Sequence, residues 1–268
     1  MLSAMSLLAE ARARLVTGER VTQSGAGFNP NFQRHAACYR YAGERLPPGR
    51  VLDLGAGVGH SFAELAPRET VGVDIDAEAL AGQDRETVVA DMRVLPFGDA
   101  SFASVLGVHS IEHVPDAERV LAEVARVLEP GGTCMLVTPN RLTFARPDEI
   151  VDPYHFVEYD AQQLRALCES HFADVSVLGL FGSAAFAELK DAQGARLDRV
   201  LALDRLRLRR FVPRRAKQLA YDVMHTRARG QGDPRAAAIT VDDFEIRDTR
   251  LEAALDLIAI GIGPSRRG

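Results

Sequence analysis

The sequence has no tryptophan and only three cysteines, Cys38, Cys134 and Cys168, none of them in a CxxC pair. That scatter supports neither a disulfide framework nor a zinc knuckle, and isolated thiols read as reduced residues of a cytoplasmic protein. A long apolar run is also missing. Nothing approaches the roughly 18 consecutive apolar residues of a membrane-spanning helix. Glu10, Arg12 and Arg14 interrupt the first fifteen residues too early for a signal peptide. Nor is positive charge in excess. The formal net charge is −5, so no global basic field points to nucleic acid. Repeats and low-complexity tracts are absent. What remains is a chain of 268 residues, 47% of them hydrophobic, enough for one core with a small appendage.

Residues 1–16 read as an amphipathic helix and 17–30 as a loop. "RHAACYRYAGERL", 34–46, reads as a helix stopped by Pro47 and Pro48. From Gly49 the pattern changes. "RVLDLG", "ETVGVDI", "ETVVAD", "SFASVLGV" and "GTCMLVT" are short apolar runs suited to strands buried on both faces of a sheet. Helical patterns lie between several of them, the clearest at 116–128, where Val120, Leu121, Val124, Val127 and Leu128 form one apolar stripe. Strand alternating with helix implies a parallel sheet with right-handed crossovers. "DAQQLRALCESHF" is a further helix, and "ADVSVLGLFG" and "ALDLIAIGIG" are the last two strands. The span between those strands, 183–242, has helical periodicity. The expected organisation is an N-terminal segment 1–48, an α/β domain of 49–182 and 243–268, and a helical insertion 183–242.

The first strand runs into three glycines at alternate positions, "VLDLGAGVGH" at 51–60. A strand that ends in such a turn and opens a helix presents bare amides at the carboxyl edge of a sheet, a ligand site. The spacing is G-x-G-x-G with His60 following, whereas a dinucleotide fingerprint has G-x-G-x-x-G. Asp74 ends the second strand about 20 residues beyond Gly55, where a carboxylate suits ribose hydroxyls. Asp91 and Met92 end the third, where an acid suits an adenine amino group and a thioether suits the ring.

With "VGVDI", "ADMRVLPFGDASFASVLGVHSIEHVPD" and "VARVLEPGGTCMLVTPN" following in order, the chain resembles class I S-adenosylmethionine-dependent methyltransferases. The group is that typified by ubiquinone-pathway and sugar or lipid methyltransferases. The resemblance covers about 30–181 and resumes at the last strand. It implies a Rossmann-like α/β fold, a seven-stranded, mostly parallel sheet with an antiparallel last strand. It implies S-adenosylmethionine as cofactor, with Asp53, Gly55, Ala56 and Gly57 at its methionine end. Asp74 and Ile75 would take the ribose and flank the adenine, Asp91 and Met92 the adenine, and the backbone near His109 the sulfonium.

The implied reaction is in-line displacement of a sulfonium methyl, in which positioning supplies much of the acceleration. A hydroxyl acceptor also loses a proton, and histidine is a natural base near neutral pH. His109, Glu112 and His113 follow strand four in "VHSIEHV", and His155 follows strand five in "DPYHFVEY". Three readings are open. Glu112 and His113 are a helix cap and His155 a loop residue; or His155, with His113 and His109, is the catalytic set; or Glu112, His113 and His155 hold a divalent metal. The last resembles small-RNA 3′-end methyltransferases, which use two Glu and two His. His109 stands where that family has Glu, leaving a single anionic ligand, so the expectation is a base and no metal.

His35, Tyr39 and Tyr41 either line the acceptor pocket beneath an N-terminal lid or pack a helix on the sheet. "RLRLRRFVPRRAK", Arg205 to Lys217, is either a solvated face or a site for an anionic group. The expected partner is a small-molecule methyl acceptor bearing a hydroxyl: a sugar, a polyketide-like metabolite or a quinone precursor. RNA methylation and a non-catalytic cofactor-binding module are the alternatives.

Overall fold

The computed structural model describes residues 29–144, 150, 152–192, 212–228 and 234–265. The expected helix at 1–16 and the stretch Arg205–Phe211 of the basic cluster lie outside the described residues. Helix α1 (Asn29–Arg45) begins five residues before the expected start, with Pro30 in its first turn. There the missing proline N–H has no intrahelical role and the fixed φ suits a helix. The strands are β1 (Val51–Leu54), β2 (Thr70–Asp74), β3 (Glu86–Val89), β4 (Phe102–Val108) and β5 (Leu128–Pro139). They are followed by β6 (Phe172–Gly182), β7 (Phe244–Arg247) and β8 (Asp256–Pro264). Between them lie helices α2 (Ala77–Leu80), α3 (Ala117–Val127), α4 (Arg141–Phe144) and α5 (Ala161–Glu169).

The strands form one sheet in the order β3-β2-β1-β4-β5-β8-β6-β7. Strands β1 to β5 are parallel. The last strand, β8, is antiparallel between β5 and β6, as expected. The seven-stranded expectation is short by one. Strand β7 adds an antiparallel edge to β6. Its four residues, Phe-Glu-Ile-Arg, show only two alternations, and the flanking Asp242, Asp243 and Asp248 read as loop. An edge strand covered on one face needs no continuous apolar run. Strand β4 is that run: all seven of its residues are buried.

Helix α3 explains how one face of the sheet is covered. Asp116 caps it, accepting from Arg119 N–H at 3.2 Å, and Val120, Leu121, Val124 and Val127 are buried in one stripe. Each such side chain contributes about 1.5–3 kcal/mol when fully buried, so Val124→Asp is the single change that would undo the helix's seat. Helix α5 begins at a capping box in which Asp160 and Gln163 satisfy each other's backbone N–H groups.

The chain forms two compact units. The larger, Gln33–Ser183 with Val241–Gly268, carries the sheet. The smaller, Met1–Phe32 with Ala184–Thr240, contains helix α6 (Arg214–Ala228). Within it the Asn29 amide donates to the Ala236 and Ile239 carbonyls at 2.9 and 2.7 Å. Of the basic cluster, Arg214 and Arg215 are exposed. In the larger unit, parallel pairing puts the carboxyl ends of β1 to β5 on one edge. The strand order reverses between β1 and β4, and open α/β sheets bind ligands at such a switch point.

Candidate active site

The turn after β1 is held from β2. Gly55 N–H and Ala56 N–H both donate to the Val73 carbonyl at 2.8 Å. Gly57 N–H donates to Asp74 Oδ2, and Asp76 N–H to Asp74 Oδ1, each at 2.9 Å. The glycines answer to different neighbours. At Gly55, φ is +74° and a Cβ would lie 2.5 Å from the Ser110 Cβ, so the turn after β4 demands the bare backbone there. At Gly57, φ is +51° and a Cβ would meet nothing within 4 Å. That open cradle is bordered by Asp74 and by Ile75, which is 72% exposed.

Asp91, at the end of β3, is held by Arg93 (Nη2 to Oδ2, 2.6 Å), and those hydrogen bonds keep its carboxyl below the usual carboxylate range. The Met92 Cε lies 3.6 Å from where a Gly55 Cβ would stand, so Met92 borders the same turn. Asp53 has protein partners instead. It is fully buried, the Tyr39 hydroxyl donates to its Oδ1 at 2.8 Å, and Arg85 pairs with its Oδ2 at 2.7 Å. Burial, reinforced by Asp53, pushes the Tyr39 hydroxyl well above its ordinary pKa. Tyr41 packs under Arg45, 5.0 Å from ring centre to guanidinium.

Beyond β4 the chain turns sharply. His109 has φ +51° and its N–H donates to the Val137 carbonyl at 2.8 Å. Its Nε2 lies 3.0 Å from Asp256 Oδ1, its Nδ1 3.7 Å from Glu112 Oε1, and its ring 4.2 Å from that of His35. Asp256 opens β8 opposite Pro139, so it sits at the same sheet edge. It also pairs with Arg34, whose Nε and Nη2 donate to its two carboxylate oxygens. Burial alone would raise this carboxyl, yet Arg34 and His109 hold it well below the usual range. His35 is the opposite case. Burial, then the neighbouring His109, His60 and Arg34, lower its pKa well below the ordinary imidazole value, against the raising pull of Asp256.

Glu112 and His113 lie on a 3-10 turn, Ile111–His113, onto which the loop after β5 is hydrogen-bonded, Phe156 N–H to the Glu112 carbonyl at 2.8 Å. This brings His155 to His113, ring centres 5.1 Å apart. One donor atom each from Glu112, His113 and His155 lies within 4.8 Å of the others. Glu112 is fully buried. Its Oε2 accepts from the Thr138 hydroxyl at 3.1 Å, and its Oε1 accepts no hydrogen bond. His155 Nδ1 stands 3.0 Å from Glu158 Oε1, and its Nε2 3.9 Å from Asp152 Oδ2. Burial lowers the His155 pKa, but Glu158, Asp152 and Glu112 outweigh it and the net shift is upward.

This is an open glycine turn at a switch point, with an imidazole–carboxylate cluster at the same sheet edge. Residues 52–136 match a family model described as a methyltransferase domain. A probable S-adenosylmethionine-dependent methyltransferase of Mycobacterium tuberculosis (strain ATCC 25618 / H37Rv) is 31% identical over 262 residues, 93% of this chain and 89% of that one. The chain belongs to the S-adenosylmethionine-dependent methyltransferases. An O-methyltransferase of Penicillium expansum is 32% identical over 150 residues, 47% of this chain and 54% of its own length. A solved methyltransferase structure from Thermotoga maritima shares the fold at 17% identity, with a TM-score of 0.57 over 86% of this chain and 90% of that one.

The cofactor is S-adenosylmethionine, and the open face at Gly57, the Asp74 carboxylate and the exposed Ile75 fit it. Four charged residues packed around the candidate site escape a reading of motifs: Arg34 and Asp256 beside His109, and Asp152 and Glu158 beside His155. Two left a signal. Asp256 is an acid inside the apolar run "ALDLIAIGIG", and Glu158 stands three residues after His155.

Proposed function

We propose that this methyltransferase moves the methyl group of S-adenosylmethionine to a hydroxyl oxygen of a small molecule, a sugar, a polyketide-like metabolite or a quinone precursor. The observation that supports the reading is the buried Glu112 carboxylate flanked by the imidazoles of His109, His113 and His155. An alcohol is a poor nucleophile until it gives up its proton, whereas a neutral amine attacks through its lone pair and a thiol ionises readily, so a cluster of bases beside the methyl donor suits an alcohol.

On this reading Gly55, Ala56 and Gly57 receive the methionine end, in a turn that Asp53 steadies through Tyr39 and Arg85. Asp74, whose oxygens already take two backbone N–H groups, has lone pairs left for the ribose hydroxyls. Ile75, Asp91 and Met92 border the adenine, and the His109 backbone lies beside the sulfonium. When bound, the cofactor supplies an electrophilic methyl: a C–O bond forms, the C–S bond breaks with its electrons on sulfur, and S-adenosylhomocysteine leaves. The hydroxyl proton passes to the imidazole cluster and from there to solvent. His35, beside His109, and Phe144, whose ring lies 5.2 Å from His155, give the acceptor side an apolar, aromatic rim. No helix among the described residues is long and apolar enough to cross a membrane.

The test is incubation with methyl-labelled cofactor and either a metabolite extract or RNA. Label recovered in metabolites as an alkali-stable ether is the expected result. Label in RNA, or in amines alone, overturns the proposal.

A further inference from the structure

The geometry points to Gln83 and Arg85, in the loop between α2 and β3, as positioning residues for the cofactor. They fix the turn after β1 in its receiving shape before S-adenosylmethionine arrives. This holds for any acceptor and rests on the reading that the methionine end lies at Gly55–Gly57.

The loop reaches the glycine turn through these two side chains. The Gln83 amide donates to the Gly57 carbonyl at 2.8 Å, and its oxygen accepts from Arg85 Nε at 2.9 Å. Arg85 in turn pairs with Asp53 Oδ2 at 2.7 Å, with 3% and 1% of the two side chains exposed. Its guanidinium lies over the Phe62 ring, 4.3 Å from the ring centre. Asp53 precedes the turn and Gly57 lies within it, so one linked pair of side chains braces it at two points. The sequence leaves room for that pair. A Cβ at Gly59 would stand 2.2 Å from Gln83 Oε1, and one at Gly72 would stand 2.9 Å from Arg85 Nη2. The third glycine of the turn and the glycine inside β2 are spaces that the two side chains fill.

Conformational entropy gives the pairing its purpose. Glycine loses more freedom on ordering than any other residue. At Gly57 both backbone polar groups are tied by side chains: the N–H donates to Asp74 Oδ2, and the carbonyl accepts from Gln83. The cost of ordering the turn therefore falls on folding instead of on binding, which is how preorganisation raises affinity. The ligand face stays open, since a Cβ at Gly57 would meet nothing within 4 Å. Asp53, buried between Arg85 and Tyr39, acts on the cofactor only through this turn.

The experiment joins calorimetry with S-adenosylhomocysteine to amide hydrogen exchange by nuclear magnetic resonance, both on the full-length protein. Gln83→Glu keeps an acceptor for Arg85 and loses the donor to Gly57. It should unfold in urea close to the wild-type midpoint, yet bind S-adenosylhomocysteine about 5- to 30-fold more weakly, with a less favourable binding entropy. Arg85→Lys keeps a charge opposite Asp53, loses the Nε donor, and should weaken binding in the same direction. The Gly57 amide should already be protected in the ligand-free wild type and exchange faster in Gln83→Glu. An unprotected Gly57 amide in the ligand-free wild type overturns the proposal even if neither variant folds. So does wild-type affinity in a folded Gln83→Glu, or a loss of affinity matched by an equal loss of stability. Gly57→Ala separates the brace from the cradle. If Gly57→Ala loses affinity and Gln83→Glu does not, the brace fails and the cradle stands. If Gly57→Ala binds like wild type, the cradle reading fails and the brace with it.

Discussion

His109 shows how much one residue here is asked to do. Its φ of +51° is a conformation most side chains avoid, and asparagine is among the few that tolerate it. His109→Asn is therefore the substitution that removes the imidazole and keeps the turn. It should lower turnover by about 100- to 10,000-fold, the usual worth of a general base, with S-adenosylhomocysteine affinity close to wild type by calorimetry. Equal losses in turnover and affinity would mean that the residue only shapes the turn. His35, against the same ring, contributes a pH dependence of its own, separated from that of the other imidazoles by comparison with a variant lacking it. Its folded pKa is lowered, so the unfolded chain binds the extra proton. Its contribution is thus present above about pH 6.5 and is lost as pH falls. Chemical denaturation from pH 7 to 5 should show wild type losing stability relative to His35→Gln. Asp256 adds nothing in that window, because its depressed pKa delays any loss to pH below the ordinary carboxylate range. A difference that does not change with pH would show that His35 is solvated.

The turn after β1 is an element whose glycines separate packing from binding. Adding a Cβ at Gly55 meets Ser110 at 2.5 Å, whereas at Gly57 it meets only open space. Both replacements carry the left-handed backbone cost of about 1–2 kcal/mol. Gly57→Ala should therefore fold with that loss alone, yet bind S-adenosylhomocysteine much more weakly. Gly55→Ala should lose more stability than Gly57→Ala, read by urea denaturation. The reverse order would deny the cradle. Such elements were legible because their chemistry is local. Buried parallel strands are continuous apolar runs, α3 carries a 3.6-residue stripe, and a glycine turn after a strand has few other uses. Strand β7 was not legible, because a four-residue edge strand has too short a pattern. The pairing of Arg34 with Asp256, 222 positions apart, was not legible either, since only the closed sheet brings them together. His109, Glu112 and His113 were visible as a group through their spacing. Asp152 and Glu158 were overlooked beside His155, since an acid in a polar loop resembles any solvated acid until its burial is known.

At the scale of the whole molecule, two compact units share one chain, and every residue assigned to the cofactor, from Asp53 to His109, lies in the unit Gln33–Ser183 with Val241–Gly268. A ligand stabilises only the folded state that binds it. S-adenosylhomocysteine at 100 times its dissociation constant adds about 2.7 kcal/mol, which for a unit of this size raises the melting temperature by about 5–11 °C. If the protein melts in one transition, that transition should move as a whole. If it melts in two, which multi-unit chains are prone to do, only the transition of the sheet-bearing unit should move. NAD should move neither, because the turn reads G-x-G-x-G, with His60 where the dinucleotide fingerprint has its third glycine. Differential scanning calorimetry with each ligand decides it. A response to NAD and none to S-adenosylhomocysteine would remove the cofactor from the cradle at Gly57.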